Sequence, residues 1–134
     1  MKIQDILELE KNNTNNIILH KEGIFWRAYE KSAYLFTLYI KEYQITKKFY
    51  KNVNTEVVYL GFPKIALEQI LELAKDKEIQ KKETQIFIKK YEFTNDDFLK
   101  WKTNLADLAY PQDLNLSEKI KNFPVATKEA LQNL

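Results

Sequence analysis

The feature that most constrains the fold is a glycine set between two short apolar runs, residues 17–20 and 24–29. Gly23 is one of only two glycines in 134 residues, and glycine adopts a positive φ without a steric penalty. The pattern therefore predicts two strands joined by a tight turn. Alternation along the second strand places Phe25 and Arg27 on one face and Ile24 and Trp26 on the other. The pattern alone leaves open which pair faces the core.

Apolar spacing in the rest of the chain predicts further helices and strands. A helical period covers residues 3–11, 30–43 and 65–77, and a capping-box sequence at residues 94–97 starts a helix that ends near residue 110. A two-residue period predicts strands over residues 43–51, 56–60 and 84–93. Residues 61–63 are expected to end a strand and start a helix, residues 75–83 to form a polar link, and residues 116–122 and 127–134 to form short helices.

These elements predict one α/β domain of the α+β type over residues 1–134. We expect a mixed β-sheet of about five strands, helices packed against it, and a helical C-terminal tail over residues 94–134. No internal repeat or long linker divides the chain.

Composition excludes several classes of site. The chain has no cysteine and one histidine, which excludes thiolate chemistry, disulfides and Cys-ligated zinc. No apolar run approaches the roughly 18 residues of a membrane span, and the first residues lack the apolar core of a signal peptide. We therefore expect a cytoplasmic protein without a membrane partner, and we expect no catalysis, metal or cofactor.

The net charge is only +2, but the basic residues are unevenly distributed. Residues 17–64 contain eight basic and four acidic side chains. A locally positive sheet region can attract phosphate groups, although solvated lysines on exposed faces explain the same count.

Two segments resemble one protein family. Residues 23–29, followed by Ser32-Ala33, resemble the Gly-Asp-Phe-Tyr-Glu-Leu-Phe…Asp-Ala segment in the N-terminal, mismatch-recognition domain of the MutS DNA-repair proteins. Residues 60–66 resemble the Ala-Gly-Ile-Pro-Tyr-His-Ala segment that opens a later helix of that domain. Order and spacing agree over residues 17–73. Because the chain is too short for the ATPase or clamp domains, it resembles the free-standing MutS-like accessory proteins found beside diversity-generating retroelements.

The resemblance implies a non-catalytic accessory protein that binds DNA or RNA and serves a reverse transcriptase complex. Phe25 matches the phenylalanine that wedges beside a mispaired base, where an aromatic ring replaces lost stacking. The alternative is that Phe25 packs on the helix over residues 65–77.

Arg27 stands where the family has a glutamate that contacts the mispaired base. A cation can grip a phosphate or stack on a base, but it cannot accept that hydrogen bond. The alternative is an arginine paired with Glu22 or Glu30.

Lys47, Lys48 and Lys51 are interleaved with Phe49 and Tyr50 and resemble the mix of cations and rings found on sheets that bind single strands. The nucleic-acid-binding prediction therefore comprises Phe25, Arg27, Lys47, Lys48 and Lys51. Lysines that protect an edge strand from aggregation would give the same pattern.

Other candidates have simpler explanations. Asp96 and Asp97 could serve a Mg²⁺-dependent nuclease, but their place in a first helical turn favours capping. His20, inside an apolar strand, is expected to be structural. A different class of function, a protein-interaction or assembly subunit that forms homo-oligomers, is favoured by the aromatic content and by the apolar residues Ala130, Leu131 and Leu134.

Overall fold

A computed structural model of the protein describes residues 2–108, with side chains through Leu105. The whole sheet belongs to one compact unit, which ends at Trp101. The tail helices expected at residues 116–122 and 127–134 lie outside the described residues. A single domain over residues 1–134 therefore stays a prediction.

The described chain forms six strands, four α-helices and one 3₁₀ turn. In order they are α1 (Ile3–Lys11), β1 (Ile17–Glu22), β2 (Phe25–Tyr29), α2 (Glu30–Tyr39), β3 (Thr46–Tyr50), β4 (Thr55–Pro63), the 3₁₀ turn (Lys64–Ala66), α3 (Leu67–Leu73), β5 (Ile79–Lys81), β6 (Gln85–Ile88) and α4 (Asn95–Leu108). The strands lie in the order β3-β4-β2-β1-β6-β5. The α+β class is confirmed. The described sheet has six strands rather than about five, and all its pairs are antiparallel, so it is not the mixed sheet expected.

The predicted hairpin around Gly23 is the centre of the sheet. Gly23 has φ of 63°, as the tight turn requires. β1 then pairs with both β2 and β6, while β2 pairs with both β1 and β4. Strands with two neighbours satisfy their backbone groups on both edges, so this hairpin holds the two halves of the sheet together.

Several boundaries differ from the sequence prediction: α2 ends at Tyr39 rather than at residue 43, and β6 ends at Ile88 rather than at residue 93. β4 continues through Pro63, because Phe62 pairs with Trp26 in register and both side chains are buried. The following helix is therefore confined to Leu67–Leu73. The expected polar link contains β5, which pairs with the outer edge of β6.

One face of the sheet is covered by helices, and we call it the covered face. Leu19, Ala28, Leu60 and Ile86 lie side by side across the four central strands. They belong to one buried cluster that also contains Phe36 of α2 and residues of α3. The ring of Phe36 stacks on that of Phe62, with centroids 5.7 Å apart. This cluster is the main core.

The opposite face, which we call the open face, carries Phe25, Arg27, Tyr59 and Lys48. The helix α1 packs on part of this face, where Ile6 contacts a smaller cluster with Tyr29 and Val57. Tyr50 and Tyr59 are half-buried and pack against this cluster, whereas Phe25 and Lys48 are exposed on the same face.

A buried carboxyl group attaches α1 to α2. Glu10 is 2% exposed and accepts hydrogen bonds from the backbone N–H and the hydroxyl of Ser32 and from Nδ2 of Asn13. The Ser32 hydroxyl oxygen also accepts the backbone N–H of Ile18, at 2.9 Å. Burial raises the pKa of Glu10 to about 7, although the hydrogen bonds from Ser32 and Asn13 oppose the shift.

The raised pKa of Glu10 predicts a specific dependence of stability on pH. Because the folded state binds this proton more tightly than the unfolded chain, its contribution is complete below the unfolded pKa of 4.5 and is lost as pH rises through about 7. Glu10→Gln mimics the neutral form and should remove this loss, which is of order 1–3 kcal/mol. Urea unfolding at pH 5 and pH 8 would measure it. Glu8→Gln, on the exposed side of the same helix, should keep the wild-type pH dependence, and an unchanged dependence in Glu10→Gln would contradict the assignment.

Candidate nucleic-acid interface

Phe25 lies at the end of the open face next to the Gly23 turn. It pairs in register with Pro63 of β4 and Glu22 of β1, and it is 42% exposed. Its neighbour Trp26 points to the covered face and is buried in the main core. The structure therefore places Trp26, rather than Phe25, in the core position, and the Phe25 ring is accessible to a ligand.

Arg27 lies one step further along the same face. Its guanidinium carbon is 4.6 Å from the centroid of the Tyr59 ring, and the exposed fraction of its side chain is 33%. The residue opposite is Gly61, and a Cβ atom there would come within 3.3 Å of Arg27 Cγ. The absence of a side chain at position 61 therefore leaves the space through which the arginine reaches Tyr59.

Glu22 holds the other side of the guanidinium. Its Oε1 is 3.2 Å from Nη1 of Arg27, and its Oε2 accepts a 2.5 Å hydrogen bond from the hydroxyl of Tyr29. Burial and this hydrogen bond raise the pKa of Tyr29, so the hydroxyl stays protonated and donates. Of the two acids considered from sequence, Glu22 is thus the ion-pair partner of Arg27, while Glu30 accepts the backbone N–H of Val58.

The three predicted lysines do not share one surface. Lys48 lies on the open face, with its Nζ 5.0 Å from the centroid of the Tyr50 ring, and Lys51 is exposed in the turn after β3. Lys47 points to the opposite face, its side chain is 5% exposed, and its Nζ is 3.5 Å from Oε1 of Glu56. The structure therefore separates Lys47 from the predicted contact surface, because neighbouring residues of a strand project to opposite faces.

The open face thus carries a band of alternating cations and rings. The band runs from Phe25 through Arg27 and Tyr59 to Lys48 and Tyr50. Sequence reasoning did not assign Tyr59 or Gly61 to the site. Their signal was the two-residue period of β4, which places residues 57, 59 and 61 on the same face once the pairing with β2 is known.

His20 is buried on the same side of the sheet, below α1. It is 3% exposed, and neither ring nitrogen has a hydrogen-bond partner among the described residues. Burial lowers its pKa to about 4, so the ring is neutral at neutral pH. It borders a cavity of about 170 Å³ that is also lined by Ile6, Lys21, Glu22, Thr84 and Gln85.

The acidic pair at the start of α4 has the capping geometry expected. The backbone N–H of Asp97 donates to the hydroxyl of Thr94 at 3.1 Å, so Thr94 caps the helix and the acids occupy its first turn. Over the described residues, no three His, Asp or Glu side chains are grouped so that they could hold a metal ion. Likewise, none of the helices described has both the length and the apolar character to cross a bilayer.

The exposure of Phe25 predicts how its removal affects folding. Phe25→Ala should lower the free energy of unfolding by about 1 kcal/mol or less, as expected for a surface side chain. Phe62→Ala, which removes a fully buried ring of the adjacent strand β4, should cost about 3–5 kcal/mol. Chemical denaturation would compare the two, and equal losses would mean that Phe25 serves the core.

Comparison with known proteins adds no assignment to this geometry. No protein-family model, curated protein or solved structure matches the chain. The resemblance to the mismatch-recognition domain therefore stays a prediction from residues 17–73.

Proposed function

We propose that this protein is a non-catalytic, cytoplasmic accessory protein that binds nucleic acid on the open face of its sheet. The observation that carries the proposal is the accessible ring of Phe25 beside a guanidinium that already lies over an aromatic ring. Exposed rings provide stacking surfaces for bases, and adjacent cations contact phosphates. The resemblance to the MutS mismatch-recognition domain adds the class of ligand, DNA or RNA, and a retroelement reverse transcriptase complex as the partner.

The arrangement favours unpaired bases over an intact duplex. The rings belong to a sheet surface, and stacking on a sheet requires bases that have left the helix. The replacement of the family glutamate by Arg27 removes the hydrogen-bond acceptor at that position. We therefore propose binding to single strands or to distorted sites, without the base readout of the repair proteins.

Titration of a labelled oligonucleotide, followed by fluorescence anisotropy, tests the proposal. Single-stranded and duplex DNA and RNA should be compared at low and moderate salt, because contacts with phosphates weaken as salt rises. Phe25→Ala should weaken single-strand binding by about 5- to 150-fold, the equivalent of roughly 1–3 kcal/mol of lost stacking. Arg27→Ala should weaken it and reduce the salt dependence.

A matched control exists on the other face of the sheet. Phe49 is 51% exposed and pairs with Glu56, away from the open face. Phe49→Ala should leave the affinity unchanged. The proposal fails if no nucleic acid binds at low salt, or if Phe25→Ala and Phe49→Ala have the same effect.

The ion pair between Glu22 and Arg27 predicts that removing the carboxylate tightens nucleic-acid binding. The Glu22 carboxylate is paired with the guanidinium that a phosphate would contact. Glu22→Gln removes this competing charge and should tighten binding about two- to fivefold, which is within the free energy of an exposed ion pair. Glu56→Gln removes the same charge on the opposite face and should change the affinity less. Anisotropy titrations of both variants measure this. Weaker binding by Glu22→Gln would instead mean that the carboxylate contacts the ligand.

A second candidate, a protein-interaction or assembly subunit, is favoured by a separate observation. The side chains of Ile24 and Ile65 are largely exposed beside each other. A hydrophobic surface of this kind is typical of protein contacts.

A further inference from the structure

An apolar groove lies at the end of the sheet where the Gly23 turn meets the 3₁₀ turn after β4. Ile24 and Ile65 border it, at 71% and 91% exposed, and Trp26, Pro63 and Leu67 line it. The groove has a volume of about 690 Å³. We call these residues, with Lys64 and Glu68, the aliphatic patch.

A backbone hydrogen bond joins the two turns that carry the exposed isoleucines. The N–H of Lys64 donates to the carbonyl oxygen of Ile24 at 2.8 Å, next to the last ladder pair between Phe25 and Pro63. The two isoleucines are thus fixed in position although their side chains stay exposed to solvent. Single exposed aliphatic residues are common, but two that border one apolar groove indicate a contact surface.

The composition of the patch is self-complementary. It contains both projecting aliphatic side chains and the groove that could receive one. It also contains one cation, Lys64, and one anion, Glu68, both exposed and neither in an ion pair with another described residue. A twofold contact requires the same surface to supply both partners of every interaction, and this patch meets that condition.

We propose that the aliphatic patch is the interface of a symmetric homodimer. Ile65 of each copy enters the groove of the other, and Lys64 of each copy pairs with Glu68 across the axis. A single groove offers less contact area than a stable dimer interface buries. The association is therefore weak and depends on concentration. The proposal does not rest on nucleic-acid binding, because the patch is separate from the ion pair of Arg27 and from Lys48.

Sedimentation equilibrium of the full chain over a wide concentration range tests the dimer. The wild type should pass from the mass of one chain, 16.0 kDa, toward twice that mass as concentration rises. Ile65→Asp should remain monomeric. Leu73→Asp, at a leucine of α3 that is 57% exposed and lies outside the groove, should dimerise as the wild type does, and circular dichroism should show that both variants are folded.

A charge exchange distinguishes the proposed twofold interface from nonspecific association. Lys64→Glu and Glu68→Lys should each weaken the dimer, because each places like charges opposite one another. The double variant restores opposite charges and should recover the wild-type dissociation constant. The proposal would be overturned if the wild type stays monomeric or associates beyond a dimer. It would also be overturned if Ile65→Asp and Leu73→Asp behave alike, or if the double variant shows no recovery.

Discussion

The rest of the structure depends on how much of each face of the sheet is covered by helices. Six antiparallel strands at about 4.8 Å spacing make a sheet about 24 Å wide. The helix on the open face, α1, has nine residues and is therefore about 14 Å long. It covers the small cluster around Ile6, against which Tyr50 and Tyr59 pack, and it leaves Phe25 and Lys48 of the band exposed. An antiparallel sheet tolerates this arrangement because one face can remain solvated.

The uncovered surface also has to be stable without a ligand, and its charges show how this is achieved. Arg27 is partly buried between the Tyr59 ring and the Glu22 carboxylate, and Glu22 also accepts the hydroxyl of Tyr29. Each of these three polar side chains therefore has a partner in the free protein. A phosphate could replace the carboxylate without leaving the guanidinium unpaired, so binding there would be an exchange of anions rather than the creation of a new charged contact. Such an exchange favours modest affinity and strong dependence on salt.

The parts that sequence predicted well are those controlled by local signals. The helix Ile3–Lys11, the hairpin around Gly23, the Thr94 cap and the strands of the second hairpin all follow from spacing, turn residues and caps. The extension of β4 through Pro63 was missed, because it depends on long-range pairing between Phe62 and Trp26. β5 was missed for the same reason: its three residues carry little periodicity, and the edge of β6 makes them a strand.

The candidate site shows the same division. Alternation separated Phe25 and Arg27 from Ile24 and Trp26, but which pair faced the core depended on where the helices pack, and that information is not local. From charge and spacing alone, the neighbouring residues Lys47 and Lys48 were predicted to share one contact surface. The structure gives them opposite faces, and Lys47 is buried against Glu56.

Both proposed surfaces arise from the same two strand ends, and this relates them physically. Between Gly23 and Arg27 the chain alternates sides, so Ile24 and Trp26 contribute to the aliphatic patch while Phe25 and Arg27 contribute to the open face. Pro63 pairs with Phe25 and also lines the groove. A one-residue slip between β2 and β4 would exchange the two sets of side chains and destroy both surfaces together. The burial of Trp26 and Phe62, which pair across the two strands, opposes such a slip, because a slip of one residue would move one of these rings to the other face. The Gly23 turn, with its positive φ, fixes the register of β2 against β1 in the same way. The register on which both proposed surfaces depend is therefore set by one local turn and one long-range pair of buried rings.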